Sequence, residues 1–177
     1  MRKCKNCKES FEPKNKNQRY CLEPKCVHKW VIEANKKACD LEKKKMLEYL
    51  ENVSELTKKA QKEFNSLIRE RDKDKPCISC EKELVGKFDA GHYFNTQYSS
   101  VRFNESNVHG QCVNCNYHKH GALLEYQVGI EKRIGGVELF DLHKKAHEKR
   151  TYTKDELRSI TKKYRKLKNN LKKNLQN

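Results

Sequence analysis

Apolar side chains recur at three- and four-residue steps between Lys and Glu residues over the segment from Trp30 to Asp72. This spacing predicts a helix with one buried face. The stripe consists of Leu47, Leu50, Val53, Leu56, Ala60, Phe64, Leu67 and Ile68. Asn52 and Glu55 can form a capping box, which predicts a break in the helix near residues 52–54, and Pro76 closes the segment.

A second helical pattern covers residues 122–146 and is interrupted at Gly135–Gly136. Thr153 and Glu156 then form a capping box in front of a basic amphipathic helix. The apolar positions of this helix are Leu157, Ile160, Tyr164, Leu167 and Leu171. We expect this stripe to pack on the chain's own core, and a partner helix or a second copy of the chain is the alternative.

Residues 77–121 are rich in Gly, Asn, His, Tyr and Ser, and they predict short strands and loops followed by a helix that begins near Cys115. The predicted fold class is therefore α+β and mostly helical. The predicted organisation has four parts: an N-terminal cysteine-rich segment 1–28, a helical segment 29–75, a central module 76–135 and a basic helical C-terminal region 136–177.

The composition excludes several classes of protein. Of the 177 residues, 35% are hydrophobic and 36% are charged, and the mean hydropathy of -1.10 disfavours one large apolar core. No apolar run reaches the roughly 18 residues of a membrane span, and the N-terminus lacks the apolar part of a secretion signal. We therefore expect a cytoplasmic protein with no membrane partner, in a compartment where thiols stay reduced.

Eight of the nine cysteines form two sets with the spacing of structural zinc sites. The first set is Cys77, Cys80, Cys112 and Cys115, in which two CxxC turns can complete a closed tetrahedral shell around Zn²⁺. The second set is Cys4, Cys7, Cys21 and Cys26, with His28 as an alternative fourth ligand. The sequence thus predicts two structural zinc ions, one of them in an N-terminal zinc knuckle that needs metal to fold.

Basic residues are concentrated at the two ends of the chain. The net charge of +16 divides into +6 over residues 1–30, 0 over 31–142 and +10 over 143–177. Such segregation favours a polyanionic partner, and nucleic acid in particular, over a merely solvated surface. The candidate phosphate contacts in the C-terminal helix are Lys162, Lys163, Arg165 and Lys166.

A carboxylate, a histidine and two asparagines lie between and beside the two CxxC pairs of the central module. Asp89 and His92 share one short segment, Asn107 lies midway, and Asn116 directly follows the last cysteine. An imidazole can take a proton from an attacking water, and oxygen ligands can hold a hard divalent cation against a phosphate. This combination favours metal-dependent hydrolysis of phosphodiesters.

The segments CISC, DAGHY and QCVNCN resemble the HNH endonucleases, which have a ββα-metal core. The longer run FNSLIRERDKDKPCISC, with DAGHY, RFNESNVHGQCVNCNYHKHG and RIG, resembles the phage NinG/Rap recombination-nuclease family. The likeness is good over residues 64–135, moderate over the first 28 and only compositional elsewhere. It implies a zinc-stabilised ββα-metal (HNH) module and an endonuclease for branched DNA, such as Holliday junctions and D-loops, in phage recombination.

The resemblance also assigns roles to single residues. His92 matches the general base of HNH enzymes. Asn107 matches the central asparagine that tethers the loop and orients the histidine. Asn116 matches a ligand of the catalytic ion, which would be Mg²⁺ or Mn²⁺.

Asp89 is the expected carboxylate ligand of that ion, although HNH sequences usually place an acidic residue directly before the histidine. Here Gly91 stands in that position, so Asp89 would reach the ion through a bulge or would only position the histidine. His120 is a further candidate ligand, because it would share a helix face with the asparagine four residues earlier. Arg102 and Lys119 are candidate phosphate contacts.

Three other functions stay open. The first is a non-catalytic, zinc-dependent DNA-binding module, and the second is an HNH nuclease that cuts linear duplex DNA in a sequence-dependent way. The third is a zinc-held interaction scaffold that uses the helical stripes, with DNA binding incidental. Symmetric cleavage of a four-way junction would favour a homodimer. The apolar stripes within residues 47–68 or 157–171 could supply its interface.

Overall fold

The structure, a computed structural model, describes residues 1–174. The chain divides into two compact units, Met1–Glu51 and Asn52–Asn177, and this boundary falls inside the predicted helical segment 29–75. The last three residues of the predicted C-terminal region lie outside the described part. The helices are α1 (Pro24–Leu50), α2 (Val53–Asp72), α3 (Leu123–Ile134), α4 (Gly136–Ala146) and α5 (Lys154–Asn174), and the strands are β1 (Arg2–Lys3), β2 (Ser10–Phe11), β3 (Phe88–His92) and β4 (Val108–Cys112).

The predicted α+β class and the break between the first two helices are confirmed. Asn52 accepts a hydrogen bond from the Glu55 backbone, and Glu55 accepts one from the Asn52 backbone, so both arms of the capping box are present. Within the described residues, none of the helices is apolar enough over a sufficient length to cross a membrane.

The N-terminal unit has a very small core. The strands β1 and β2 pair antiparallel, and α1 begins at Pro24, whose fixed φ suits the first turn of a helix. The buried residues of the unit are Cys4, Tyr20, Cys21 and Cys26, with Phe11 packed against them. Because three of these four are cysteines, apolar packing alone gives this unit little stability.

The larger unit has its main core between α2 and α5. Leu56, Ala60, Phe64, Leu67 and Ile68 are buried on α2, together with Leu157 and Tyr164 on α5. The rings of Phe64 and Tyr164 lie 4.8 Å apart. The expectation that the C-terminal stripe packs on its own chain is confirmed. The buried residues of the two stripes pack against each other, so they are not free to form a dimer interface.

The strands β3 and β4 form an antiparallel hairpin with continuous register, from Phe88 opposite Cys112 to His92 opposite Val108. One face of the hairpin contributes Ala90 and Val108 to the core on α2. On the other face, a Cβ at Gly91 would collide with the side chain of Gln111. Glycine at this position therefore lets the Gln111 side chain cross β3.

The helix that the sequence predicts to begin near Cys115 is present only as a short turn. A five-residue helical turn runs from Asn114 to His118, and α3 begins only at Leu123. His120, Gly121 and Ala122 all have positive φ, of 49°, 94° and 43°. Consecutive residues in this conformation cannot continue a right-handed helix. The hairpin and helical turn are present, but an HNH ββα fold does not follow from them alone.

Candidate metal centres and the Asp89–Asn116 site

The four cysteines of the central module lie together. The sulfur atoms of Cys77, Cys80, Cys112 and Cys115 are all within 4.8 Å of one another, and the Cys80 and Cys112 sulfurs are 3.9 Å apart. Tetrahedral Zn–S bonds of about 2.3 Å require S···S separations of about 3.8 Å. The donor set and its dimensions therefore fit a structural Zn²⁺ ion.

Backbone amides favour thiolate in this group. The amide of Cys112 donates to the Cys77 sulfur at 3.4 Å. Burial raises the pKa of the Cys77 thiol, but hydrogen bonds from the amides of Cys80, Cys112 and Ser79 outweigh it and lower that pKa to about 7. Burial and the neighbouring cysteines raise the pKa of Cys115. A cation at the centre would offset the crowding of negative charge among four thiolates.

The N-terminal cysteines form a second group of the same kind. The sulfurs of Cys4, Cys7, Cys21 and Cys26 lie within 4.8 Å of one another, and those of Cys7 and Cys21 are 3.7 Å apart. Cys26 is buried, while His28 is exposed and outside the group. Of the two candidates for the fourth ligand, the structure therefore favours Cys26 over His28.

Asp89 and Asn116 meet beside the central cysteine group. The Asn116 amide donates to one carboxylate oxygen of Asp89 at 3.0 Å. Asp89 is held by β3, and Asn116 directly follows Cys115 in the helical turn. The contact uses only one of the two carboxylate oxygens of Asp89, and the carbonyl oxygen of the Asn116 amide is a further hard donor. The predicted oxygen ligands are thus brought together.

His92 lies on the opposite face of β3 from this pair. Residues three positions apart in a regular strand point to opposite faces, and β3 contains no bulge that would turn them to one side. The His92 ring contacts α2 instead, with Nε2 at 3.5 Å from the amide nitrogen of Gln61 and the ring centre 6.5 Å from that of Phe64. The bulge expected before His92 is therefore absent, and His92 does not join the Asp89–Asn116 pair.

The environment of His92 favours a neutral imidazole. Burial lowers its pKa, so the ring is uncharged at pH 7. Its Nε2 lies 3.3 Å from the backbone oxygen of Arg102. The Arg102 carbonyl only accepts and so favours a proton on Nε2, whereas the Gln61 amide nitrogen only donates and favours a lone pair on the same atom. The two contacts therefore favour opposite tautomers of the His92 ring.

Asn107 ties down the long loop between the two strands. It is fully buried. Its side chain accepts from the amide of Phe94 at 2.8 Å and donates to the carbonyls of Phe94 and Val101 at 2.9 and 3.1 Å. The next residue after Val101 is Arg102, whose carbonyl faces His92. Asn107 therefore tethers this loop, and its role in orienting His92 for catalysis stays a prediction.

Other predicted site residues are less well placed. His120 is exposed and lies beyond the helical turn that ends at His118, so the shared helix face expected for it does not exist. Arg102 is half-buried and donates to the Gln61 side chain at 2.9 Å. Lys119 is exposed in the turn after the helical segment.

The predicted cations of the C-terminal helix fall into two groups. Lys162, Lys163 and Lys166 are exposed on α5. Arg165 instead forms an ion pair of 3.0 Å with Glu63 of α2. This ion pair links α5 to α2, while the Arg165 side chain remains exposed.

The buried carboxylate of Asp72 joins the end of α2 to β4 but has no signal in the sequence. Arg71 donates to both of its oxygens, at 2.9 and 2.8 Å, and Lys75 and the Gly110 amide add contacts of 3.1 and 2.9 Å. Burial raises its pKa, but these donors outweigh it and hold the pKa well below the usual range. Within the run RERDKDK, Asp72 looks like one more solvated charge.

The fold and the sites define a two-unit α+β protein with two four-cysteine groups that could hold zinc. The chain belongs to the NinG family, since the family model described as Bacteriophage Lambda NinG protein matches residues 1–174. The family membership expected from the sequence is thereby confirmed.

Similar proteins named Protein ninG occur in several phages. The relative from Escherichia phage 933W is 37% identical over 182 residues, which cover 92% of this chain and 90% of the relative. Those from Escherichia phage lambda and Salmonella phage P22 are 36% and 35% identical, over 92% of this chain and 89% and 90% of their own lengths. No solved structure matches the chain.

Proposed function

We propose that this chain is a divalent-metal-dependent endonuclease that hydrolyses phosphodiester bonds in branched DNA, such as a Holliday junction or a D-loop, during phage recombination in the host cytoplasm. The observation that carries the proposal is the contact between Asp89 and Asn116 at 3.0 Å. It places two hard oxygen-bearing side chains next to a cysteine group that fits zinc. The substrate class rests on the resemblance to the NinG/Rap nucleases.

Asp89 and Asn116 would hold Mg²⁺ or Mn²⁺. A bound divalent cation would polarise the scissile phosphate and stabilise the charge on the departing oxygen. The two zinc ions would be structural, since four cysteine ligands leave no open position. The cysteine group fixes the start of the helical turn and thereby the position of Asn116 relative to Asp89.

His92 would take the proton from the attacking water at the ring nitrogen that carries the lone pair. Its ring is neutral at pH 7 because burial lowers its pKa, and the Arg102 carbonyl orients Nε2. Asn107 would act as a positioning residue, because it fixes the loop that carries this carbonyl. Since His92 and the oxygen pair lie on opposite faces of β3, the DNA would have to reach both sides of the strand near its end.

The DNA would be held chiefly by exposed cations. Lys162, Lys163 and Lys166 of α5 are the strongest candidates, with Lys119 and Arg102 closer to the site. Arg165 would add to the positive electrostatic potential of α5 despite its ion pair with Glu63. A homodimer would suit symmetric cleavage of a junction, but its interface would have to use a surface other than the buried α2–α5 core.

One observation favours a second candidate function, a zinc-dependent DNA-binding module without catalysis. His92 is not brought to the Asp89–Asn116 pair, and a general base must lie within hydrogen-bond reach of the proton that it removes. This module would use both cysteine groups and the basic surfaces. It would not require His92, Asp89 or Asn116.

Single-turnover cleavage of a labelled four-way junction, measured beside a linear duplex of the same sequence, tests the proposal. With Mg²⁺ or Mn²⁺ we expect the junction to be nicked faster. His92→Ala should lower the rate by about 10²- to 10⁴-fold, the usual contribution of a general base. Asn116→Ala should lose activity that higher Mg²⁺ or Mn²⁺ partly restores, because it removes a ligand.

A matched control is Asp141→Asn on the exposed face of α4, which should cut normally, whereas Asp89→Asn should not. All variants should retain zinc and junction binding. If the wild-type protein binds the junction but does not cut it with either ion, the binding-module function replaces the proposal. Equal cutting of the linear duplex would contradict the branched substrate.

A further inference from the structure

The N-terminal unit contains a cavity of about 740 Å³. The cavity opens between the loop that precedes α1 and one face of that helix. Val27, Trp30, Ala34 and Lys37 line the helical side, at steps of three and four residues. Its volume lies within the roughly 300–1,000 Å³ of sites that hold organic ligands, and it is larger than a single phosphate needs.

The lining carries an excess of positive charge. Lys5, Lys14, Arg19 and Lys37 face a single acidic residue, Glu33. That carboxylate already accepts hydrogen bonds from Lys5 at 2.8 Å and from the Tyr20 hydroxyl at 2.6 Å. The other three cations therefore have no acidic neighbour within the lining, so the cavity favours an anionic ligand.

The cavity also presents an aromatic surface. Trp30 is 55% exposed, and it is the single tryptophan of the chain. An exposed aromatic ring flanked by cations is the arrangement that proteins use to bind single-stranded nucleic acids, since bases stack on the ring while phosphates meet the cations. A phosphate alone would leave the ring uncovered, and a peptide of Asp and Glu residues would offer it no aromatic ring to stack on.

The loop on the other side of the cavity has its own internal support. The Gln18 side chain accepts from the Lys14 amide at 2.7 Å and donates to the Tyr20 carbonyl at 2.9 Å. Arg2 donates to the Lys16 carbonyl at 2.6 Å. These bonds fix the loop independently of a ligand, so the cavity is preformed and binding would require little ordering of the chain.

We infer that this cavity binds a single-stranded segment of DNA, with one base stacked on Trp30 and the adjoining phosphates against Lys14, Arg19 and Lys37. The inference rests on the proposed function for its choice of DNA, and it adds a second contact region, remote in sequence from Asp89 and Asn116. Branched recombination intermediates such as D-loops expose single strands, which a stacking site of this kind would recognise.

Fluorescence of Trp30 tests this inference directly, because no other tryptophan contributes. The zinc-loaded full chain is titrated with oligothymidylate without Mg²⁺ or Mn²⁺, so that cleavage is not involved. We expect saturable quenching that weakens with added salt. A blunt duplex should quench much less, because its bases are already stacked.

Variants identify the residues responsible, with binding of a labelled oligothymidylate followed by anisotropy. Trp30→Ala should weaken binding by about 5- to 100-fold, the range expected for one stacked base. Tyr49→Ala is the matched control, an exposed aromatic on the same helix outside the cavity, and should bind normally. Lys37→Gln should lower the salt slope by about 0.7, more than Lys36→Gln, which alters a neighbouring lysine that does not line the cavity.

Equal binding by Trp30→Ala and the wild-type chain would overturn the inference, as would equal quenching by polyglutamate or by the duplex. The result is independent of nuclease activity. A protein that fails to cut junctions but shows the expected quenching retains this site. A protein that cuts junctions and shows no quenching lacks it.

Discussion

Gly129 of α3 allows the helix to lie directly against the first CxxC turn of the central module. A Cβ built at this position would overlap the carbonyl oxygen of Ile78 and stand 3.0 Å from its carbonyl carbon. The overlap with the oxygen is the tighter of the two contacts, so Gly129→Ala would have to separate α3 from Ile78 by more than about 1 Å to reach ordinary van der Waals distances. Ile78 lies between Cys77 and Cys80, and the separation would therefore disturb the cysteine group.

The expected cost follows from two opposing effects. Overpacking against a fixed backbone costs about 1–3 kcal/mol, while replacing glycine by alanine within a helix returns up to about 1 kcal/mol. Because the overlap is with backbone, the overpacking cost lies at the upper end of its range, and we expect Gly129→Ala to lower the free energy of unfolding by about 2 kcal/mol and to speed zinc release to a chelator. Gly136→Ala is the matched control, since its Cβ would meet only the Glu131 side chain, at 3.7 Å.

Urea unfolding in zinc-containing buffer measures the first effect, and a colorimetric zinc chelator measures the second. Gly136→Ala should stay within about 0.5 kcal/mol of the wild-type chain. If Gly129→Ala unfolds at the same urea concentration as the wild-type chain and releases zinc at the same rate, the close approach of α3 to the cysteine turn is refuted.

Two further predictions concern zinc and pH. Metal analysis of the purified protein should give two zinc ions per chain, and a count of one or zero would contradict one or both cysteine sites. Burial, with Arg71 nearby, lowers the pKa of His109 to about 4, below the value of about 6.5 in the unfolded chain. The neutral ring therefore contributes its full stabilisation above pH 6.5. About 3 kcal/mol of the free energy of unfolding should be lost as the pH falls from 6.5 through 4. In urea unfolding from pH 7 to 4, His109→Gln should show a shallower loss than the wild-type chain, and parallel curves would contradict this account.

The sequence predicts the helical elements and the cysteine groups because both depend on local spacing. Apolar steps of three and four residues mark α2 and α5, and the capping boxes at Asn52 and Thr153 mark where those helices begin. The short separations within each CxxC pair restrict the geometry in the same way. The two halves of each cysteine group are assigned to one another by their proximity along the chain, since Cys4, Cys7, Cys21 and Cys26 all lie within the first 28 residues.

The arrangement of the hairpin could not be predicted in the same way. Whether Asp89 and His92 share a face depends on the register of β3 against β4, and a single bulge would reverse the answer. The glycine before His92 suggested such a bulge, but its role is to make room for Gln111. The end of the helical turn at His118 depends likewise on backbone angles at residues 120–122, for which His120 and Ala122 give no warning.

The basic C-terminal helix combines two roles that its sequence does not separate. Arg165, Lys168 and Lys172 lie along the side next to α2, where they pair with Glu63 and Glu70. The cations on the exposed side can meet a polyanion, while the apolar stripe completes the main core. Removing the helix would expose that core, and a loss of DNA binding would then say nothing about charge. The contribution of this helix to DNA binding must therefore be measured by neutralising its exposed lysines one at a time in the intact chain.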